Sequence, residues 1–222
     1  MNWLRNYLFA STFLTMIFST TQVFAQNVSD KMMCKALERV IDRKSPKEIK
    51  QNAKILKKGG WYVLDKSLPI DRQLDKTQIK EFEEDRNGCQ KWIVSAGRSI
   101  AGSRTNAKLQ AIALAKRNLA SQVLVALGSI IEINDSIQLT TKEAAEISEV
   151  LKASQTVVAE VFERVIMLTE MYKEDNQNDI EARIKIAYNQ EAAISLVKVL
   201  VTQELVEKTA IERGRLVKIM NF

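Results

Sequence analysis

The chain has 222 residues, 27% of them charged, a formal net charge of +6 and no histidine. Without histidine, catalytic triads that use it, most zinc sites and histidine acid–base chemistry are excluded. Charges of both signs are spread along the chain, which indicates a solvated surface and no nucleic-acid partner, although weak affinity for anionic surfaces stays open. Gly97 and Gly102 lie among strand-like residues and predict a twist or bulge, not a phosphate-binding loop.

The first 25 residues have the pattern of a cleaved secretion signal. Arg5 precedes the uncharged apolar run 7–18, and Val23-Phe24-Ala25 places compact residues where a signal peptidase cleaves. The run is shorter than the roughly 20 residues that a membrane span needs, so cleavage after Ala25 is favoured over an N-terminal anchor. No later segment is long and apolar enough to span, which predicts a periplasmic or outer-membrane-associated protein.

Residues 26–60 are predicted to form an N-terminal helical segment. A first helix is expected to run to about Arg43. Ser45-Pro46-Lys47-Glu48 then combines a capping box with proline at the first helical position, so a second helix starts there. Gly59-Gly60 is expected to end that helix.

Two cysteines, Cys34 and Cys89, are the only thiols of the chain. Their spacing fits neither a metal site nor a redox pair, so an exported chain would hold at most one disulfide. Spacing alone leaves open whether the two α-carbons lie within bonding range.

Residues 61–208 are predicted to form the main domain, which begins with a strand at 61–64. A polar helix follows Pro69, with a few apolar anchors: Leu74, Ile79 and Phe82. Its C-terminal part carries an acidic cluster, which comprises Glu81, Glu83, Glu84 and Asp85. A charge run on a polar helix is typical of a solvated face, so these carboxylates are not expected to be catalytic.

The stretch from Lys91 to Asn134 is predicted to be the centre of the domain. Its first part alternates like a strand, and the more apolar face carries Trp92, Val94, Ala96 and Ile100. From Thr105 the period is helical, and small side chains would let the helix lie close to a sheet. The apolar stripe comprises Ala107, Ala111, Leu114, Ala115, Leu119, Val123, Leu127 and Ile130. Beyond Leu119 it exceeds what one sheet face needs, so a partner surface is expected there.

The remaining elements complete the domain. Thr140 and Glu143 form a second capping box, which opens a helix that pairs with the long one. The strand at 162–172 is apolar on both faces and is expected to be interior, whereas 180–188 alternates between an apolar and a charged face. Asn189 caps a last helix. The basic and apolar tail 209–222 is predicted to be a frayed helix end or a docking peptide.

This order of elements predicts an α+β fold. A small, mainly antiparallel sheet of three or four strands would be packed by the long alanine-rich helix and a C-terminal helix, with the N-terminal helices as an extension.

Several of these stretches resemble the bacterial twenty-kilodalton outer-membrane lipoprotein (Lpp-twenty-like) family. The resemblance is carried by Trp92–Gly97, the break near Gly102, the alanine spacing of 107–120, and the paired strands 165–172 and 180–188. It covers roughly 61–208 and implies an envelope-associated α+β module without enzymatic activity. The lipidated cysteine of that family has no counterpart near Ala25, which favours a periplasmic protein or one tethered through a partner.

Two functions are therefore expected in order of preference. The first is a non-catalytic structural or interaction module, with no cofactor and no metal, whose partners are envelope proteins or a second copy of the chain. Its expected partner surface comprises Val125, Ile130, Ile133, Leu216 and Phe222. The second is a periplasmic protein that binds a glycan or peptidoglycan fragment. Its stacking surface would comprise Trp61, Tyr62, Trp92 and Arg98.

Overall fold

The computed structural model describes residue 32 and the ranges 34–37, 42–133, 139–174, 179–209, 211 and 213–220. The predicted signal segment 1–25 lies outside them. The strands are β1 (Trp92–Ala101), β2 (Ile166–Glu174) and β3 (Ile180–Asn189). The helices are α1 (Pro46–Lys58), α2 (Ile70–Glu81), α3 (Arg104–Ile133), α4 (Thr141–Ala153), α5 (Gln155–Val161), α6 (Gln190–Lys208) and α7 (Arg213–Met220). Residues 34–37 are also helical.

The three strands form an antiparallel sheet in the order β1-β3-β2, which confirms the predicted α+β class. The central strand is β3, so the prediction that the first strand of the final pair is interior was wrong. β2 lies at the edge and is apolar on both sides because helices cover both of its faces. The segment at 61–64 is not a strand; it contributes a single bridge, between Tyr62 and Tyr172.

Helix α3 packs along the sheet on the face of β1 that carries Ile93, Ser95 and Gly97, all of which are buried. On the more apolar face, Val94 is buried in a small cluster with Leu168 and Ala187, whereas Ile100 is exposed. A β-carbon on Gly97 would lie only 1.9 Å from the carbonyl oxygen of Ala111, so the helix can approach the strand this closely only because residue 97 has no side chain.

The apolar stripe of α3 is confirmed except at Leu114. Ala107, Ala111 and Ala115 lie against the sheet without any exposure, and larger side chains continue the stripe into the helical layer: Leu119, Val123 and Leu127. Leu114, by contrast, is 37% exposed. Residues spaced four apart lie about 40° further around the helix at each step, so the stripe spirals slowly around α3. At the height of Leu114 the stripe has already turned away from the side on which Leu114 lies.

The second face of the sheet is covered by α1, α2 and the residues that follow them. Trp61 packs there in a small cluster with Ala53, Ile70 and Met171. Helix α2 buries Ile70, Gln73 and Thr77, whereas Ile79, a predicted anchor, is exposed. The helix ends at Glu81, before most of the acidic cluster. That cluster continues into a turn with an isolated bridge between Glu84 and Gln90.

Part of the predicted tail forms helix α7, which packs against the core. Leu216 and Ile219 are buried in the main cluster, and Arg215 reaches α4 with its guanidinium 2.8 Å from the Glu143 carboxylate. Since Leu216 and Ile219 are three residues apart, they share one helix face, which packs inward. The tail therefore does not present these residues to a partner. Within the described ranges, no helix combines the length and the apolarity that crossing a membrane requires.

Candidate functional site

A groove of about 290 Å³ runs between the C-terminal half of α3 and helix α4. Its walls are mainly aliphatic and include Leu124, Val125, Ile131, Ile147 and Leu151. Val125 stands out because 65% of it is exposed on a helix whose neighbouring positions are buried. The groove therefore offers apolar surface to a ligand without any rearrangement of the core.

Local contacts fix where α4 begins and tie the start of α5 to α3. Thr140 caps α4 by accepting from the Glu143 amide, and the Glu143 carboxylate accepts in return from the Thr140 amide. At the far end, the Gln155 side-chain amide donates to the Arg117 carbonyl over 3.3 Å. Between these points, Gly128 lets Leu151 pack closely against α3, since a β-carbon there would lie 3.2 Å from a Leu151 methyl group.

Polar groups border the groove and differ at its two ends. Helices α3 and α4 run antiparallel. Lys152, in the last turn of α4, therefore lies at the same end of the groove as Ser121 and Gln155, whereas Glu132 lies at the other end, near the α3–α4 connection. Among the residues that the structure describes, these two are the only ionisable ones that line the groove. Such an arrangement can orient a bound molecule by charge, but it provides no pair of groups that would activate a nucleophile.

The predicted partner surface is only partly at this groove. Val125 lines it, but Ile130 is buried in the core, and so is Leu216 in α7. Both side chains belong to the main core cluster and are therefore not exposed to a partner. The side chain of Ile133 and residue Phe222 lie outside the described part of the chain.

The two tryptophans of the predicted stacking surface are covered by cations. Trp61 is only 8% exposed, and the Arg183 guanidinium carbon lies 4.4 Å from its ring centre. Trp92 donates its indole N–H to Glu83 over 2.9 Å, and the Lys80 ammonium lies 4.4 Å from its ring centre. Neither ring offers a free face of the kind that sugar stacking needs.

The other two residues of that surface are also committed elsewhere. The Tyr62 backbone exchanges two hydrogen bonds with Tyr172, and its ring packs against the main core. Arg98 is exposed but forms an ion pair with the buried Glu181 on β3. The structure thus distributes the four residues over separate packing clusters and does not bring them together.

A polar cluster that the sequence did not predict joins α3 to β2. The Lys108 ammonium lies 2.8 Å from both oxygens of Glu170, and the Tyr172 hydroxyl donates to the same carboxylate over 2.6 Å. Burial, together with this carboxylate, raises the pKa of Tyr172 well above its usual range. Partners 62 residues apart in sequence give no local signal. The cluster fastens a helix to the sheet.

The acidic cluster is likewise structural. Glu83 accepts from Lys80, Lys91 and the Trp92 indole, and the Lys80 contact is the main cause that lowers the pKa of Glu83 to about 2. Glu81 pairs with Lys185 on β3 at 3.0 Å. Since its neighbouring cations hold the Glu83 carboxylate in its charged form, Glu83 is not suited to donate a proton near neutral pH.

The two cysteines form a disulfide, with the α-carbons of Cys34 and Cys89 5.5 Å apart. The bond ties the helical residues 34–37 to the turn that follows α2. In the described part of the chain, no group of cysteine and acidic side chains is arranged to hold a metal ion.

Neither family models, nor curated proteins, nor solved structures give a significant match to this chain.

Proposed function

We propose that this chain is an exported, non-catalytic binding module of the bacterial cell envelope and that the α3–α4 groove is its binding site. The observation that carries the proposal is the groove itself, an aliphatic cleft of about 290 Å³ with an exposed valine at its mouth. Exposed apolar surface of this kind is costly to keep unless something binds to it.

Export is supported by two features of the sequence and one of the structure. The apolar run 7–18 and Val23-Phe24-Ala25 have the pattern of a cleaved signal. The Cys34–Cys89 disulfide suits an oxidising compartment such as the periplasm. The resemblance to the Lpp-twenty-like family further supports a location in the cell envelope. Without a cysteine to lipidate near Ala25, the protein would be periplasmic or held at a membrane by a partner.

A non-catalytic role is supported by the way the acidic side chains are used. Glu81, Glu83 and Glu170 each accept from at least one lysine and thereby connect separate elements of the fold. The alternative of glycan binding is less well supported, because Trp61 and Trp92 are already stacked against cations of the same chain. An aliphatic groove without aromatic lining is also a poor site for a sugar ring.

The proposal is tested in bacterial cells that produce the full chain with a photo-crosslinking residue at position 125 or, as a matched control, at 199. Val199 is exposed to the same degree as Val125, 67% against 65%, and lies on α6 outside the groove. We expect a processed protein in the envelope or periplasmic fraction, cysteines that react with alkylating agents only after reduction, and crosslinked products from position 125 alone. Unprocessed protein with free thiols in the cytoplasm, or equal crosslinking from both positions, would contradict it.

A further inference from the structure

We propose that the α3–α4 groove binds the aliphatic chain of a single-chain anionic amphiphile, of which a free fatty acid is the simplest example. This inference rests on the function proposed above, because it names the ligand of the same site.

The lining determines the apolar part of the ligand. Of the residues that the structure describes, leucine, isoleucine, valine and alanine form the walls, and none of the lining residues is aromatic. Sugars and nucleobases are held by aromatic faces and dense hydrogen bonding, whereas an alkyl chain needs only apolar surface from which water is displaced. Gly128 and Ala144 also line the groove and add little side-chain bulk to it. The groove therefore favours a slender, flexible hydrocarbon.

The dimensions limit the size of that hydrocarbon. A volume of about 290 Å³ lies at the lower end of small-molecule pockets, which span roughly 300–1,000 Å³. From Ser121 to Glu132 the groove follows α3 for roughly 16 Å, at a rise of about 1.5 Å per residue. One alkyl chain of medium length fits this space. The two chains of a phospholipid do not.

The charges at the two ends determine the head group and its direction. Lys152 forms no ion pair or hydrogen bond with any residue that the structure describes, so its ammonium is available to an anion. Ser121, Ser148 and Gln155 add polar atoms around the groove. At the opposite end the Glu132 carboxylate repels an anion. A carboxylate head would accordingly lie at Lys152, with the chain directed past Val125 and Gly128 towards Glu132.

The test measures the binding of dodecanoate, below its micelle concentration, to the delipidated processed chain by titration calorimetry. Val125→Glu places a charge where the chain would lie, and Val199→Glu is the control on α6. We expect saturable binding at one site, a loss of affinity of at least about tenfold in Val125→Glu because a charge would be buried against the chain, and no change in Val199→Glu.

A second variant tests the direction of the ligand. Lys152→Glu should weaken dodecanoate binding at least about threefold and leave the binding of uncharged dodecanol unchanged, since only the head-group attraction is reversed. Lys152 is exposed, so the variant is expected to fold normally.

Three results would overturn the inference: no saturable binding of dodecanoate, equal losses in Val125→Glu and Val199→Glu, or binding to anionic phospholipid vesicles without binding of dodecanoate. If dodecanoate fails to bind while position 125 still crosslinks a protein in the envelope, this inference is wrong and the proposed binding module stands.

Discussion

Gly97 on β1 and Ala111 on α3 are in contact through their backbones, and a β-carbon added to Gly97 would lie 1.9 Å from the Ala111 carbonyl oxygen. The same β-carbon would lie 2.7 Å from the Ala115 amide nitrogen. The long helix therefore rests directly on the strand, with no side chain between them. This contact sets the position of α3, and its C-terminal half in turn provides one wall of the groove.

Substitution of Gly97 by alanine is expected to destabilise the protein by more than about 3 kcal/mol, because backbone atoms cannot move aside as a side chain would. Gly102→Ala is the control, since its β-carbon would meet only the Asp179 carboxylate at an ordinary 3.7 Å. Urea unfolding of the two variants measures the difference. Similar stabilities would show that α3 does not approach β1 so closely.

Gln73 completes the hydrogen bonding at the edge of β2. Its side-chain oxygen accepts from the Glu170 amide over 2.7 Å, and its amide donates to the Leu68 carbonyl over 2.8 Å. Because Gln73 is buried, Gln73→Met should leave both groups unpaired and cost about 1–3 kcal/mol.

Gln78, on the same helix, provides the matched control for Gln73. It also makes two backbone hydrogen bonds of 2.8 Å, both with Lys44, but at the surface, where water can replace it. Gln78→Met should therefore change the free energy of unfolding by less than about 0.5 kcal/mol. Equal costs for the two variants would show that Gln73 is not needed at the sheet edge.

The disulfide is expected to stabilise the fold through the unfolded state. Cys34 and Cys89 are 55 residues apart, so the bond closes a long loop. Replacing both cysteines by alanine should cost about 2–4 kcal/mol, measured by denaturant unfolding. A reducing agent should lower the unfolding midpoint of the unaltered protein and leave that of the double variant unchanged. Insensitivity of both proteins to reduction would mean that the bond does not form.

Glu83 is expected to make the stability of the fold depend on pH in the acidic range. Its folded pKa of about 2 lies below its ordinary value of 4.5, chiefly because Lys80 donates to it. A depressed folded pKa gives stability that is present above pH 4.5 and is lost as the pH falls towards 2. Between pH 5 and 2, Glu83→Gln should therefore lose less stability than the unaltered protein. Parallel unfolding profiles for the two proteins would contradict this assignment.

Local sequence signals predicted the elements that depend on local chemistry. The capping boxes at Ser45 and Thr140, and the cap at Asn189, occur as predicted because each bond joins residues three apart. The apolar stripe of α3 was predicted for the same reason, since helical spacing places its members on one face.

Features that depend on distant pairing were predicted poorly. Gly97 was predicted only to allow a twist or bulge, because its close contact with Ala111 joins two elements that are separate in sequence. The interior strand was assigned by the apolarity of β2, yet α2 on one face and the main core on the other produce the same pattern at a sheet edge. The sequence indicated the groove only in part, through an excess of apolar residues beyond Leu119. Which of these residues are exposed depends on where α4 and α7 pack.

The binding of an alkyl chain in the α3–α4 groove is tested most directly by an NMR measurement of contacts between dodecanoate and the methyl groups of the processed chain. We predict intermolecular Overhauser effects from the ligand chain to Leu124, Val125 and Leu151, with the carboxylate end nearest Lys152. Contacts at Val199 on α6, or the absence of any contact at the groove methyl groups under conditions where the protein is folded, would contradict it.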